Sequence, residues 1–154
     1  MERIYETETK EIKKESFKSV DGLTFKTAGD CEEHEKMLKT VLIRHIVSMG
    51  KLVSDYDAFM VGCEDYLNLV IKIDKDNIEA IATLRNFKYF DGTSEYAKSK
   101  DIRDYVGETV VFAVGWVPSD LKEVKTLDNF YLYGEIEDFK KAVAERLSNA
   151  LTLD

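Results

Sequence analysis

The chain has 154 residues with one Pro and eight Gly; 44% are hydrophobic and 34% charged, which suits one globular domain with a real core and excludes a disordered chain or one divided by a Pro/Gly-rich linker. The formal net charge of −8 argues against general nucleic-acid binding, which needs clustered Lys and Arg to neutralise phosphates; it permits a basic protein partner, and it permits a plain soluble acidic protein, the reading that composition alone favours. The first residues, Met1-Glu2-Arg3-Ile4-Tyr5-Glu6, lack the apolar core of a signal peptide, no apolar run approaches the ~20 residues that span a bilayer, and two cysteines are too few for a disulfide framework, so a cytoplasmic protein with free thiols is expected.

From Arg3 to Ser19 the chain is dense in Thr, Lys, Glu and Ser. The run Glu6-Thr7-Glu8-Thr9-Lys10-Glu11 alternates Thr with charges, a pattern that fits an exposed edge strand or a disordered arm. Asp21-Gly22 stands between Ser16–Val20 and Leu23–Phe25, which predicts a hairpin over about residues 14–27. Thr27 or Asp30 then caps a helix that runs to about Gly50, with Asp30, Glu32 and Glu33 near its start to complement the helix dipole. At ~100° per residue, Cys31, His34, Leu38, Val41, Leu42, His45 and Met49 fall on one stripe, with Glu33, Lys36 and Arg44 opposite.

Residues 51–66 are compatible with a helix extension or with a loop and a short strand. Leu67–Ile73 alternates as a strand with Leu67, Leu69, Ile71 and Ile73 on one face. Asp76 and Glu79 have the spacing of a capping box, opening a helix of about three turns to Phe87. Asp91-Gly92-Thr93-Ser94 is a turn, and residues 95–107 read as loop with a helical turn. Thr109–Val114 is apolar on both faces, as a central strand is. Asn129–Tyr133 is a short strand, and a last helix begins near Gly134 with Ile136, Phe139, Val143, Leu147 and Ala150 at helical spacing. Strand 67–73, helix 77–87 and strand 109–114 have the order of a βαβ unit. The expected fold class is therefore α+β: a single domain spanning 1–154, with a mixed β-sheet, an N-terminal hairpin and about three helices packed on it as a two-layer sandwich.

Several constellations invite chemistry. Cys31 and His34 share a helix face and have the residue types of half a zinc site, but His45 lies roughly 16 Å further along the same helix, and only Cys63 remains as another Cys or His. Asp55/Asp57 and Asp74/Asp76 resemble parts of an oxygen site for Mg²⁺ or Ca²⁺, without the glycine and distal glutamate of an EF-hand loop. Asp120, Glu123 and Lys125 have the residue types of a metal-dependent nuclease but read better as a surface turn. A Gly-x-Ser-x-Gly elbow and a Walker-type phosphate loop are both absent from the sequence. Phe87, Tyr89 and Phe90, and then Phe130, Tyr131 and Tyr133, are aromatic clusters that serve a core or a recognition patch.

The stretch Val20-Asp21-Gly22-Leu23-Thr24-Phe25-Lys26-Thr27-Ala28-Gly29-Asp30-Cys31-Glu32-Glu33-His34-Glu35 resembles a segment of small acidic phage-encoded accessory proteins, in which a hairpin ending in Phe-x-Thr runs into an acidic helix start. Some such proteins inhibit bacterial defence systems, including CRISPR effectors. The resemblance implies a non-enzymatic, protein-binding inhibitor that occupies a basic surface of a host defence protein in the host cytoplasm. On charge density, its partner-binding residues are expected to be Asp55, Asp57, Glu64, Asp65, Asp74 and Asp76. No cofactor, metal, membrane or direct nucleic-acid contact is expected. The competing reading is a small nucleotide-binding or metal-dependent nucleotide-processing protein that uses Asp74 and nearby carboxylates.

Overall fold

The computed structural model describes residues 1–7, 13–54, 67–114 and 130–153. The fold is α+β, with two antiparallel sheets and three α-helices among the described residues. Strands β1 (Glu2–Thr7), β2 (Lys13–Lys18) and β3 (Thr24–Phe25) form one sheet in that order. Helix α1 (Ala28–Ser48) leads to the second sheet, β4 (Lys51–Ser54), β5 (Leu67–Lys72), β6 (Thr109–Val114) and β7 (Phe130–Glu135), also in sequence order. Helix α2 (Ile78–Leu84) and a 3₁₀ turn (Ile102–Tyr105) lie between β5 and β6, and α3 (Ile136–Ala150) follows β7.

The expected hairpin is present. Phe17 pairs with Phe25 and Lys18 with Thr24. Gly22 supplies the positive φ of +91° that the tight return needs, and Ser19 N donates to Leu23 O at 2.8 Å. The N-terminal residues form an edge strand over Glu2–Thr7; residues 8–12 lie outside the described chain. Of the two proposed caps for α1, Thr27 is the one used. It is extended (φ −124°, ψ 149°) and its Oγ1 accepts from Asp30 N at 3.1 Å.

Two expectations about the sheet are corrected. The hairpin does not join a mixed sheet: with β1 it forms a sheet of its own, packed on α1 through the buried Phe17. The unit from β5 to β6 is not a parallel βαβ crossover either, because Leu67 pairs with Val114 and Lys72 with Thr109. The excursion between them starts and ends at one end of the sheet, where Ile73 N donates to Glu108 O at 2.9 Å and Gly107 N donates to Ile73 O at 2.8 Å. Helix α2 stops at Leu84, short of the expected Phe87. Phe87 instead follows a tight turn, its N–H donating to Leu84 O at 3.1 Å.

Sheet β4–β7 is covered on both faces. One face sets Leu69, Ile71, Val110, Phe112, Val114, Phe130 and Leu132 against Ile43 and Ile46 of α1 and Ile81 and Leu84 of α2. On the other face Val111, Ala113 and Tyr133 meet Phe139 and Ala142 of α3. The expected two layers are thus three, since β6, apolar on both faces, needs cover on both. Gly50 ends the α1–β4 turn so close to β5 that a Cβ there would stand 2.7 Å from Leu69 Cδ1 and 2.8 Å from Val70 O.

Candidate functional site

The cysteine and histidines of α1 separate in space. The buried face carries Cys31, Ile43 and Ile46, with Leu38 and Leu42 half-buried beside them, while Val41 is 61% exposed and His45 lies at the surface. This face is turned by roughly 60° from the stripe expected around Leu38. Ile43 and Ile46, which set it, were the residues missing from that stripe. Cys31 is fully buried, and burial with the nearby charge of Glu35 pushes its thiol up. His34 turns to the hairpin, where its Nε2 lies 2.9 Å from Asp21 Oδ2 and its ring 5.0 Å from that of Phe25. Burial raises Asp21, but hydrogen bonds from Ser19 and His34 outweigh it and hold that carboxyl below the ordinary range. His45 Nε2 sits 3.2 Å from the carbonyl oxygen of Asp76, so each histidine ties α1 to a different turn. Among the described residues no group of three or more His, Cys, Asp or Glu side chains is placed to hold a metal ion.

Of the six acidic residues expected to bind a partner, Asp55, Asp57, Glu64 and Asp65 lie outside the described residues, as do Cys63 and the Asp120–Lys125 segment. Asp74 and Asp76 are adjacent in the turn before α2. The expected Asp76/Glu79 capping box is not what builds this turn. Asp74 Oδ1 accepts from Asp76 N at 2.8 Å, and Asp74 O accepts from Ile78 N at 3.0 Å. Asn77, buried, bonds Asp74 N through Oδ1 at 3.0 Å and Lys72 O through Nδ2 at 2.8 Å. Asp74 therefore shapes the turn, and Asp76 is left exposed.

That turn belongs to a larger acidic end of the four-stranded sheet. Because β5 and β7 end where β6 begins, the Asp74–Glu79 turn, Glu108 and Glu135 share it; Val110 pairs with Glu135. The 3₁₀ turn adds Asp101 and Asp104, and Arg103 joins it to α2 through Glu79 at 3.3 Å. Lys98 Nζ binds both Glu108 and, at 3.2 Å, Glu135, and it lies 4.9 Å from the centre of the Tyr105 ring. The hydrogen bond between the two glutamates holds Glu108 below the ordinary carboxylate range and Glu135 above it, with Lys98 lowering both. Asp101, Asp104, Glu108 and Glu135 were not recognised in the sequence as part of this group. They stand more than 20 residues from Asp76, and only the antiparallel return of the chain brings them back.

Replacing Lys98 by Met is expected to destabilise the protein most near neutral pH, where it leaves two facing carboxylates. Their shared proton is then held more tightly in the folded than in the unfolded chain. The missing stability returns as pH falls through the glutamate range. Melting curves of Lys98→Met and wild type at about pH 7 and about pH 4 check this; a gap that does not narrow at the lower pH refutes it.

The two aromatic clusters also divide. Phe87, Phe90, Phe130 and Tyr133 are buried, and Tyr131 packs against the second core with its ring 5.3 Å from that of Tyr133. Tyr89 is 68% exposed at φ +70°. No helix among the described residues is long and apolar enough to cross a membrane. Comparison with protein-family models, curated proteins and solved structures finds no match.

Proposed function

We propose that this protein is a non-enzymatic binding protein of phage or mobile-element type, which inhibits a host defence protein, such as a CRISPR effector, by occupying a basic surface. The observation that carries the reading is the acidic end of the β4–β7 sheet, where Asp76, Glu79, Asp101 and Asp104 are exposed around a rigid turn. Carboxylates fixed on a folded scaffold present negative charge to a nucleic-acid channel without the ordering cost that a flexible acidic tail would meet. The net charge of −8 steers the approach. The resemblance of Val20–Glu35 to phage accessory proteins supplies the biological setting.

A pull-down with a purified host defence nuclease tests the proposal. The expected result is a stoichiometric complex that weakens with salt and is weakened about tenfold or more by Asp76→Lys together with Glu79→Lys. A complex indifferent to both salt and charge reversal sinks the proposal. Metal-dependent nucleotide turnover lost on Asp74→Ala would instead establish the enzymatic alternative.

A further inference from the structure

The turn after α2 holds an exposed ring on strained backbone. Phe87–Phe90 is closed by Phe90 N donating to Phe87 O at 3.1 Å, and its third residue, Tyr89, takes φ +70°. Turns with a left-handed third residue place Gly or Asn there, because a Cβ is strained at that φ. Tyr89 is the one non-glycine residue at positive φ among the described residues, and it is 68% exposed. The loop around it is held in place. Phe87 and Phe90 are buried on either side of Lys88 and Tyr89, and the Arg85 guanidinium donates to Asp91 O at 3.1 Å, Gly92 O at 3.2 Å and Thr93 Oγ1 at 2.7 Å. The ring is thus presented outward on a rigid base, in a conformation that folding does not need, since a glycine would close the same turn without strain.

Cations gather at this turn. Lys88 Nζ lies 4.9 Å from the centre of the Tyr89 ring. Lys39 Nζ reaches across from α1 to 5.2 Å from the centre of Phe90 and 6.0 Å from that of Phe87. Among the described residues neither lysine forms an ion pair. Within residues 85–91 only Asp91 carries a negative charge. This basic, aromatic corner stands at the far end of α2 from the acidic Asp74–Glu79 turn.

We propose that this corner binds an acidic segment of a protein partner, the Tyr89 ring covering an apolar side chain while Lys39 and Lys88 meet carboxylates beside it. A rigidly presented tyrosine offers a large contact area with little further ordering, and ammonium groups resting on ring faces are already partly stripped of water. Single-stranded nucleic acid is the other anion with a use for lysines and a ring. It fits less well: a strand brings a charge at every nucleotide to a chain of net charge −8, and a single ring at this corner is no platform for successive bases. An acidic loop brings only a few carboxylates and brings them locally. The inference does not rest on the proposed inhibitory function, which uses the opposite charge at the other end of α2.

Fluorescence anisotropy of a short labelled peptide, glutamates around one leucine, tests it, with labelled oligothymidylate as the second probe. The wild type is expected to bind the peptide saturably, less tightly as salt rises, and more tightly than the oligothymidylate. Tyr89→Gly, Tyr89→Ala and Lys88→Glu should each weaken peptide binding at least about tenfold. Melting curves separate the ring from the fold. Tyr89→Gly relieves the left-handed strain and should melt about 3 °C above Tyr89→Ala, which keeps it. Asp76→Lys with Glu79→Lys should leave peptide binding undiminished, so this inference and the proposed function fail separately. A wild type that does not bind the peptide saturably, tighter binding of the oligothymidylate, binding that survives Tyr89→Gly, binding lost on the Asp76 and Glu79 reversal, or a Tyr89→Gly protein that melts no higher than Tyr89→Ala each overturns the proposal.

Discussion

Replacing Phe112 by Ala is expected to lower the unfolding free energy by about 3–5 kcal/mol. Phe112 sits on the central strand β6, fully buried, and opposes Leu69 on β5 and Leu132 on β7. Its ring stacks on that of Phe130, with centroids 4.1 Å apart and planes 14° apart. The substitution removes the transfer free energy of the ring and the aromatic pair, and it leaves a cavity that two hydrogen-bonded neighbouring strands cannot collapse to fill. Domains of this kind are stable by about 5–15 kcal/mol, so the loss takes a large share of the total. Urea denaturation measures it directly. Phe112→Leu, which keeps most of the volume, should cost about 1.5 kcal/mol or less. If Phe112→Ala cost no more than Phe112→Leu, the assignment of this ring to the core between the sheet and α1 would be wrong.

Gly134→Ala is expected to cost about 3–4 kcal/mol, combining backbone strain with a damaged helix start. Gly134 has φ +116°, and the β6–β7 register shifts beside it, between Val111 and Phe112. A Cβ at this position would stand 2.5 Å from Asp138 Oδ2 and 3.0 Å from Asp138 Cβ. That same Asp138 oxygen accepts from Glu135 N at 2.8 Å and starts α3. The new methyl group therefore strains the backbone and displaces the Asp138 carboxylate that bonds back to the N-cap residue Glu135. Gly107→Ala is the matched control. Its φ is +92°, but a Cβ there meets nothing within 4 Å, so only backbone strain of about 1 kcal/mol is expected. The melting temperature should fall roughly 10 °C for Gly134→Ala and about 3 °C for Gly107→Ala. Equal effects at the two glycines would show that the contact with Asp138 carries no weight.

Elements whose pattern is local were legible in the chain. Asp21-Gly22 between β-favouring residues located the hairpin, because few dipeptides take the required left-handed conformation without strain. Alternation over Leu67–Ile73 and the apolar run Thr109–Val114 located β5 and the central strand. The acids before Phe139 and the helical spacing after it located α3. The direction of β6 was not legible. A strand, a helix and a strand in order describe equally a parallel crossover and an excursion that returns to the end it left. The pairing of Leu67 with Val114 and the Ile73–Glu108 contact decide between them, and neither has a local signature. The orientation of α1 failed for a related reason. Apolar and polar residues are mixed around this helix, so its buried face was set by which side the sheet offered to Ile43 and Ile46.

The candidate surface divides in the same way. Composition by itself determined that the protein is acidic, and the Asp74–Asp76 pair was visible as charge density beside a strand end. Only the tertiary structure decided that Asp74 is committed to its turn and Asp76 faces solvent. It also decided that Asp101, Asp104, Glu108 and Glu135 gather at the same end of the sheet. Periodicity reports a residue's neighbours within about one helical turn or one strand pair, whereas the grouping of distant carboxylates depends on where an antiparallel chain comes back.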